Sequence, residues 1–271
     1  MLDLKSEVNL PESAGEPIKE LYQDAGKPIA QSLGQVGKIV MDFAKTVLYP
    51  IERLNMSAKK SVAKCVFQAE AELADYKAEL IGPPADYIAA PIIQGFTFSS
   101  DSDELQSMYV KLLSKAMYEP TKGLVHPAYA EFIKQMSPVD AVLFRTICNA
   151  NRRPLISLLV VNENADIRSP EYIIDCADDI MPWTIYSYQK QLRSLNNLER
   201  LSLLKGDAGQ PYPDSYYDVI KTNVHYTNCL SDMQSEYPNY SIHEIKGRIT
   251  ITPMGQSFFD ACVAKISDLC E

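Results

Sequence analysis

The sequence predicts a mainly α protein, in which an N-terminal helical bundle is followed by a C-terminal winged-helix (α+β) domain with an enlarged wing insertion. Apolar residues recur at helical steps of three and four through much of the chain. After residue 137 the predicted elements follow in the order helix, strand, helix, helix and two-stranded hairpin, which is winged-helix order. The chain is 46% hydrophobic and 23% charged, which is typical of a globular protein.

The sequence divides into an arm and two predicted domains. Residues 1–16 are mixed and polar with no periodic pattern, which predicts a flexible arm. Residues 17–136 form the predicted helical domain. Residues 137–271 form the predicted winged-helix-like domain, in which residues 206–246 are the insertion.

The first predicted helix carries two neighbouring rows of side chains along residues 29–54. The apolar row repeats at alternating steps of four and three, as in a helix that packs along its length, and it comprises Ile29, Leu33, Val36, Val40, Phe43 and Val47. Gly34 and Gly37 lie in the second row, whose small members let another backbone approach closely. A glycine costs about 1 kcal/mol in a helix interior, so close packing is expected to offset that cost.

Two interpretations of this candidate partner or membrane helix stay open. In the first, it pairs with another helix of the same chain. In the second, it is a surface helix whose wide apolar face inserts into lipid or a partner protein. Its polar face has few Lys or Arg residues, which weakens the lipid version.

The other helices of the predicted helical domain are separated by stop signals. A helix over 57–80 ends at the Gly-Pro-Pro sequence that follows it. Pro91 and Gly95 interrupt the next apolar run, so residues 85–98 are expected to form short buried helical pieces. The remaining predicted helices of this domain are 104–118 and 127–136.

The predicted winged helix begins at a strong helix start. Ser137 is placed as the N-cap, Pro138 as the first helical residue and Asp140 as the third, where a carboxylate suits the helix dipole. The predicted elements are a helix at 138–149, a strand at 155–161, a weak helical segment at 170–179, a helix from 182 to 198, a hairpin of 201–204 with 247–251, and a last helix at 253–266.

Five basic residues of the predicted winged helix form a candidate nucleic-acid or partner face: Lys190, Arg193, Arg200, Lys205 and Arg248. Residues 182–206 have a local net charge of +3, whereas residues 138–271 carry −5 and the whole chain −9. One interpretation places the third helix in the major groove of DNA. The other interpretation is protein contact or dimerisation. It is favoured because phosphate binding requires a basic surface, whereas residues 138–271 are acidic overall.

No pattern in the sequence predicts a catalytic, cofactor-binding or metal site. The three histidines belong to no metal or nucleophile pattern, and the glycines form no phosphate-binding loop. Glu72, Asp75 and Glu79 share one helix face, where we expect solvated carboxylates rather than a site. We therefore expect a protein that is not an enzyme, takes no cofactor and has no small-molecule substrate.

The cysteines and the hydropathy pattern bear on localisation. The six cysteines include no C-x-x-C pair, and reduced thiols are expected. The chain opens with polar residues rather than a signal peptide, and no apolar run approaches the roughly 20 residues of a spanning helix. We expect a cytoplasmic protein, peripheral at the inner membrane if residues 29–54 contact lipid.

Residues 80–150 contain a recognisable pattern. Its four features are the apolar segment ending in Gly95-Phe96, the run Asp103-Glu104-Leu105 leading to Tyr109, His126-Pro127 with Phe132, and Gln135-Met136-Ser137-Pro138. This pattern resembles the abortive infection alpha family, and the similarity covers most of the chain from about residue 17. The features are packing and capping residues rather than reactive groups.

The resemblance implies a role in bacterial defence against phage, in which infected cells stop growing or die before phage is released. It implies no catalytic residues. We expect a non-enzymatic defence protein that acts through a protein partner or self-association, with a membrane surface as a further partner. A winged-helix regulator that binds nucleic acid is the alternative with weaker support, and a cryptic hydrolase is the third.

Overall fold

The computed structural model describes residues 56–150, 152–161, 171–174, 188–207 and 210–269, which are mainly helical with a small antiparallel sheet. The chain divides into two compact units. Unit 1 comprises the described residues 56–134 and 264–269, and unit 2 comprises the described residues from 135 to 263.

The division between the units can be compared with the predicted domains. It falls two residues before the predicted boundary at 137, and it returns the residues after Val263 to unit 1. The predicted arm at 1–16 and the candidate partner or membrane helix, with all its named residues from Ile29 to Val47, lie outside the described residues.

The described residues of unit 1 form four α-helices. These are α1 (Met56–Leu73), α2 (Asp86–Phe98), α3 (Asp103–Met117) and α4 (Ala128–Lys134), joined in part by 3-10 turns at Ala78–Leu80 and Glu119–Leu124. The predicted helix over 57–80 is thus wrong in its last turns. Helix α1 ends at Leu73, and the chain then turns into the 3-10 helix Ala78–Leu80. Directly after it, Ile81 forms a β-bridge with Tyr118, and the N–H of Gly82 donates to the Met117 carbonyl at 2.9 Å.

The segment that was expected to form short buried pieces is a single helix, α2, with Pro91 inside it. Proline removes the hydrogen bond to the carbonyl four residues earlier, which belongs to Tyr87. Tyr87 lies on the exposed side of α2, where water can take the place of the missing donor. Gly95 faces α3, and a Cβ there would meet the Tyr109 ring at 2.3 Å, so the glycine permits the close approach of the two helices.

Unit 2 begins with the predicted helix start. Helix α5 (Pro138–Asn149) has a full capping box: Ser137 Oγ accepts from the Asp140 N–H, and the Asp140 carboxylate accepts from the Ser137 N–H at 2.7 Å. The predicted N-cap is confirmed. Local capping chemistry depends on residues a few positions apart, so the sequence alone identified it.

The sheet of unit 2 is antiparallel, with the order β2-β1-β4-β3. Its strands are β1 (Pro154–Val161), β2 (Glu171–Ile174), β3 (Leu204–Asp207) and β4 (Ser241–Ile251). The weak helix predicted at 170–179 is wrong where the structure describes it, because residues 171–174 pair with β1 instead. Strand β4 is longer than predicted, since residues 241–248 pair with β1 and residues 248–251 pair with β3.

The helices of unit 2 include α6 (Tyr188–Arg200), which leads into β3, and α9 (Pro253–Cys262), which follows β4. The strand predicted at 201–204 begins only at Leu204. Residues 201–203 end α6 instead: Ser202 takes a positive φ of 58°, and the Leu203 N–H donates to the Leu198 carbonyl.

The insertion between β3 and β4 folds back onto the sheet. It contains α7 (Asp218–Thr222) and α8 (Val224–Glu236). One apolar cluster joins it to alternate residues of β1, and its fully buried or nearly buried members are Ile156, Leu158, Val160, Tyr217, Ile220, Tyr226 and Met233. The sheet therefore has one face covered by the insertion.

Candidate functional site

The predicted basic residues of α6 lie on one exposed side of the helix. Lys190, Arg193 and Arg200 are exposed and recur at steps that place them on the same side. The opposite side is buried through Gln191, Ser194, Leu195 and Leu198. Lys205 is exposed on the adjoining strand β3. We call Lys190, Arg193, Arg200 and Lys205 the basic stripe.

Glu199, the acidic residue nearest to the basic stripe in sequence, is hydrogen-bonded to the backbone of the hairpin. One carboxylate oxygen of Glu199 accepts from the Gly206 N–H at 2.6 Å, at the turn into β3. Glu199 is thereby directed to the backbone of the hairpin. The stripe keeps a local excess of positive charge.

Arg200 is held in place by neighbours. Its Nε and Nη2 donate to Asn197 Oδ1 at 3.0 and 2.8 Å, and its Nη1 donates to Gln135 Oε1 at 3.0 Å. Asn197 Nδ2 in turn donates to Asp140 Oδ2 at 2.9 Å. This network connects the stripe to the capped start of α5, so α6 presents its exposed side from a fixed position.

Arg248, the fifth predicted basic residue, has a different environment. It is half-buried on β4 opposite Asp207, and its Nη2 contacts Gln210 Oε1 at the edge of the insertion. Its Nε is buried and makes no hydrogen bond in the part of the chain that the structure describes. The structure therefore places Arg248 in the packing between β4 and the insertion.

A polar network that the sequence did not predict holds the insertion on β4. Lys246 Nζ donates to Asp214 Oδ1 at 2.7 Å, and Lys221 and Tyr226 both contact the Glu244 carboxylate. The buried Tyr217 hydroxyl donates to the Gly247 carbonyl at 2.7 Å. The only signal in the sequence is the density of tyrosines in the insertion, which does not identify their partners.

The pKa shifts in this network have structural causes. The hydrogen bond and charge of Lys246 lower the pKa of Asp214, and the same pair raises the pKa of Lys246. Burial raises the pKa of Tyr226, and its contact with Glu244 raises it further. For Glu244, burial acts to raise the pKa, but hydrogen bonds from Lys221 and Tyr226 outweigh burial and lower it. The pKa shifts of these groups therefore follow from the contacts that hold the insertion on the sheet.

Unit 1 contains an open groove of about 670 Å³ between α1, α3 and residues 265–267. It is lined by carboxylates, including Glu72 and Asp75, and by the ammonium groups of Lys111 and Lys265. Glu72, Asp75 and Glu79 are all exposed, as expected, but they do not share one helix face, because α1 ends at Leu73 and Glu79 lies in the following 3-10 helix. The groove is lined by three carboxylates, Glu72, Asp75 and Asp103, and two ammonium groups, so charges of both signs are present.

The second surface that the sequence missed is the outer side of α2. The residues there were expected to be buried, but Tyr87 is 69% exposed and Phe98 is 76% exposed. The apolar run alone gave no way to tell which side would be covered. We call this side the α2 face; its members are Tyr87, Ala90, Pro91, Gln94 and Phe98.

Metal-binding clusters and membrane-spanning helices are both absent from the part of the chain that the structure describes. The described residues contain no group of three or more His, Cys, Asp or Glu side chains placed to hold a metal ion. None of their helices combines the length and apolarity that crossing a bilayer requires. Burial raises the pKa of Cys65 and raises that of Cys148 to about 12.

Comparison with known proteins identifies the family. No curated protein and no solved structure matches the chain significantly. The model of the family described as abortive infection alpha matches residues 59–262, which include every described helix and strand from α2 through α9 and most of α1. The chain therefore belongs to the abortive infection alpha family.

Proposed function

We propose that this chain is a non-enzymatic bacterial anti-phage defence protein that acts in the cytoplasm through contacts with a protein partner, a second copy or the inner membrane. Its family supports abortive infection as the process. The observation that carries the contact mechanism is the basic stripe, in which four cations lie on one exposed side of α6 and β3. Hydrogen bonds from Asn197 to Asp140 and from Arg200 to Gln135 hold α6 in position.

The arrangement of unit 2 supports a winged helix with an elaborated wing. The element order is α5, β1, β2, α6, β3 and β4, with α7 and α8 between the last two strands, and β4 lies between β1 and β3 in the sheet. Such modules place the helix before the hairpin on the surface that meets the partner. Here that helix is α6, which carries the stripe.

Charge favours a protein partner over DNA. The stripe supplies only four cations, and one of them, Arg200, is already engaged by Asn197 and Gln135. The insertion from 208 to 240 has a net charge of −3, and residues 138–271 carry −5. Nonspecific DNA affinity depends on the number of phosphates neutralised. A protein with a small acidic surface fits this distribution better than a phosphate backbone does.

The burial of two thiols supports the proposal that neither Cys65 nor Cys148 is a nucleophile. A thiol with a raised pKa is a weak nucleophile at neutral pH, and burial raises the pKa of both Cys65 and Cys148. The shifted groups of the insertion are explained by pairing with β4. Catalytic sites instead combine a shifted pKa with a cleft and a reacting partner.

Phage challenge of a bacterial host tests the proposal. Lys190→Glu/Arg193→Glu reverses two exposed charges of the stripe and should abolish protection without lowering the amount of folded protein. Arg145→Glu, an exposed cation of α5, is the matched control and should protect as the original chain does. Protection that survives the double reversal, or no protection by the original chain, would refute the proposal.

The alternative, a DNA-binding transcriptional regulator, is favoured by the same exposed cations of α6. It predicts a shift of genomic DNA fragments whose affinity falls steeply with salt. The double reversal should then remove the shift. Two results together would dismiss this alternative. The original chain would fail to bind DNA even at 50 mM salt, and it would capture a host or phage protein that the variant does not capture.

A further inference from the structure

Helix α6 presents three cations whose charge no carboxylate of the described residues neutralises. Lys190, Arg193 and Arg200 lie on its exposed side, and none of them forms an ion pair with another described residue. The hydrogen-bond partners of Arg200 are the neutral side chains of Asn197 and Gln135, so its positive charge remains. We call Lys190, Arg193 and Arg200 the α6 cations.

The insertion carries three carboxylates in the same condition. Asp218 begins α7, Asp232 and Glu236 lie one turn apart on α8, and all three are exposed. None of them forms an ion pair in the part of the chain that the structure describes. The insertion has a single basic residue, Lys221, which is paired with Glu244 of β4. We call Asp218, Asp232 and Glu236 the insertion carboxylates.

The α6 cations and the insertion carboxylates belong to elements on opposite faces of the sheet. Side chains alternate between the two faces along a strand, and Ile156 and Leu158 of β1 pack against the insertion. Leu155 therefore points to the other face. A Cβ on Gly206 would meet Leu155 Cδ2 at 3.2 Å and Glu199 Oε1 at 3.0 Å, so the end of α6 lies on the Leu155 face. The sheet thus separates α6 from the insertion within one copy.

The insertion carboxylates fit the α6 cations better than the groove of unit 1 does. In the groove, Glu72, Asp75 and Asp103 share the lining with Lys111 and Lys265, so a cationic partner would also meet positive charge there. The insertion offers three carboxylates to three cations. Complementary charge of this kind selects a partner and fixes its orientation.

Apolar side chains lie beside the insertion carboxylates. Val219 follows Asp218 directly and is 53% exposed, and Val224, at the start of α8, is 60% exposed. Charge complementarity contributes specificity more than affinity, whereas the core of an interface is depleted of charge. The insertion therefore supplies both an apolar contact area and the charges around it.

We propose that the partner of the α6 cations is the insertion of a second copy of this chain, so that copies associate head to tail. The inference rests on the proposed function, because it takes α6 as the contact surface and names what binds there. A surface that binds a different surface on the next copy generates a closed ring or an open array. Reversing the charge of either surface should therefore stop association.

Sedimentation velocity of the purified full chain, with no phage present, tests the association. In about 50 mM salt, species larger than one copy should appear as the protein concentration rises. About 500 mM salt should raise the apparent dissociation constant at least about tenfold, because salt screens exposed charges. Lys190→Glu/Arg193→Glu and Asp232→Lys/Glu236→Lys should each leave a single copy at every concentration.

A mixture of these two variants separates a lost contact from a lost fold. Each variant keeps one native surface and reverses the other. In the mixture, the new glutamates of one variant meet the new lysines of the other, and the remaining native surfaces also match. Association should therefore return, which a misfolded variant would not allow.

Glu72→Lys/Asp75→Lys is the matched control, because it makes the same change of net charge on exposed carboxylates of unit 1. It should associate as the original chain does. A single copy of the original chain at every concentration in about 50 mM salt, association that survives either reversal, or a mixture that stays as single copies would overturn the inference.

Association and phage protection can fail separately. If copies do not associate but Lys190→Glu/Arg193→Glu still abolishes protection, the partner is another molecule, and the inference fails while the proposed function stands. If copies associate as described but the original chain gives no protection, the proposed function fails while the inference stands. Loss of association in Glu72→Lys/Asp75→Lys would place the acidic surface in unit 1 and would also overturn the inference.

Discussion

Lys115 donates a hydrogen bond from its Nζ to the carbonyl oxygen of Ala264 at 2.6 Å, across 149 positions of the sequence. The Lys115 side chain is 1% exposed, so its ammonium group is buried inside unit 1. A buried charge is tolerated only where polar groups compensate for lost water. The segment that follows unit 2 thus supplies a polar group that the third helix of unit 1 needs.

Lys115→Met should therefore weaken the attachment of residues 264–269. The variant keeps the apolar stem but leaves the Ala264 carbonyl without this donor, and a lost hydrogen bond to a charged group costs about 1.5–3 kcal/mol. Hydrogen exchange of residues 264–269 should accelerate. Lys134→Met, which removes an exposed partner of Glu131, should have little effect. Equal exchange in both variants would contradict the role of Lys115.

Gly95→Ala should destabilise unit 1 by about 1–3 kcal/mol, because the new methyl group would overlap the buried ring of Tyr109. The midpoint of urea unfolding measures the change. Gly123→Ala is the control, since a Cβ there has no neighbour within 4 Å and should leave stability nearly unchanged. If both substitutions shift the midpoint alike, α2 and α3 do not need the glycine.

Tyr217→Phe should loosen the insertion without unfolding the sheet. Its hydroxyl donates to the Gly247 carbonyl and accepts from the Tyr212 N–H at 2.8 Å, and the side chain is fully buried. Leaving those two groups unpaired should cost about 1–3 kcal/mol. Protease cleavage between 208 and 240 should become faster, whereas Tyr87→Phe should cleave at the original rate. Unchanged cleavage would show that apolar packing alone holds the insertion.

Glu70 gives unit 1 a pH dependence. It is 5% exposed, and burial raises its pKa to about 7. Between its ordinary pKa and 7, the folded state binds more protons at this carboxyl than the unfolded state does, so stability falls as pH rises through this window. The full loss, reached above pH 7, is about 3 kcal/mol.

Glu70→Gln removes this ionisation. Relative to the original chain, the free energy of unfolding of the variant should rise by up to about 3 kcal/mol between pH 5 and pH 8, as followed by urea titrations. Glu72→Gln, which alters a solvent-exposed carboxylate of the same helix, is the matched control. A constant offset between Glu70→Gln and the original chain would contradict the pKa assignment.

Features that depend on neighbours in sequence were predicted well. The cap formed by Ser137 and Asp140 needs only residues three positions apart, and the exposed side of α6 follows from its helical periodicity. The same helical periodicity predicts that Lys190, Arg193 and Arg200 lie on one side of the helix. The basic stripe could therefore be named before its surroundings were known.

Features that depend on distant partners were not predicted. Residues 171–174 form a strand because β1 offers an open edge, which their own weak helical pattern does not show. Tyr87 and Phe98 are apolar like their buried neighbours, and only the placement of α1, α3 and α4 decides which side of α2 is covered. The partner of Lys115 lies 149 positions away, beyond any local pattern.

The return of residues 264–269 to unit 1 has a consequence for biosynthesis. A ribosome makes all of unit 2 before it makes the stretch that holds Ala264 and the buried Ile266. Until then, the ammonium of Lys115 lacks this acceptor, and unit 1 exists only as an incomplete precursor. Any activity that needs a finished unit 1 is thus delayed during translation until all of unit 2 has been produced.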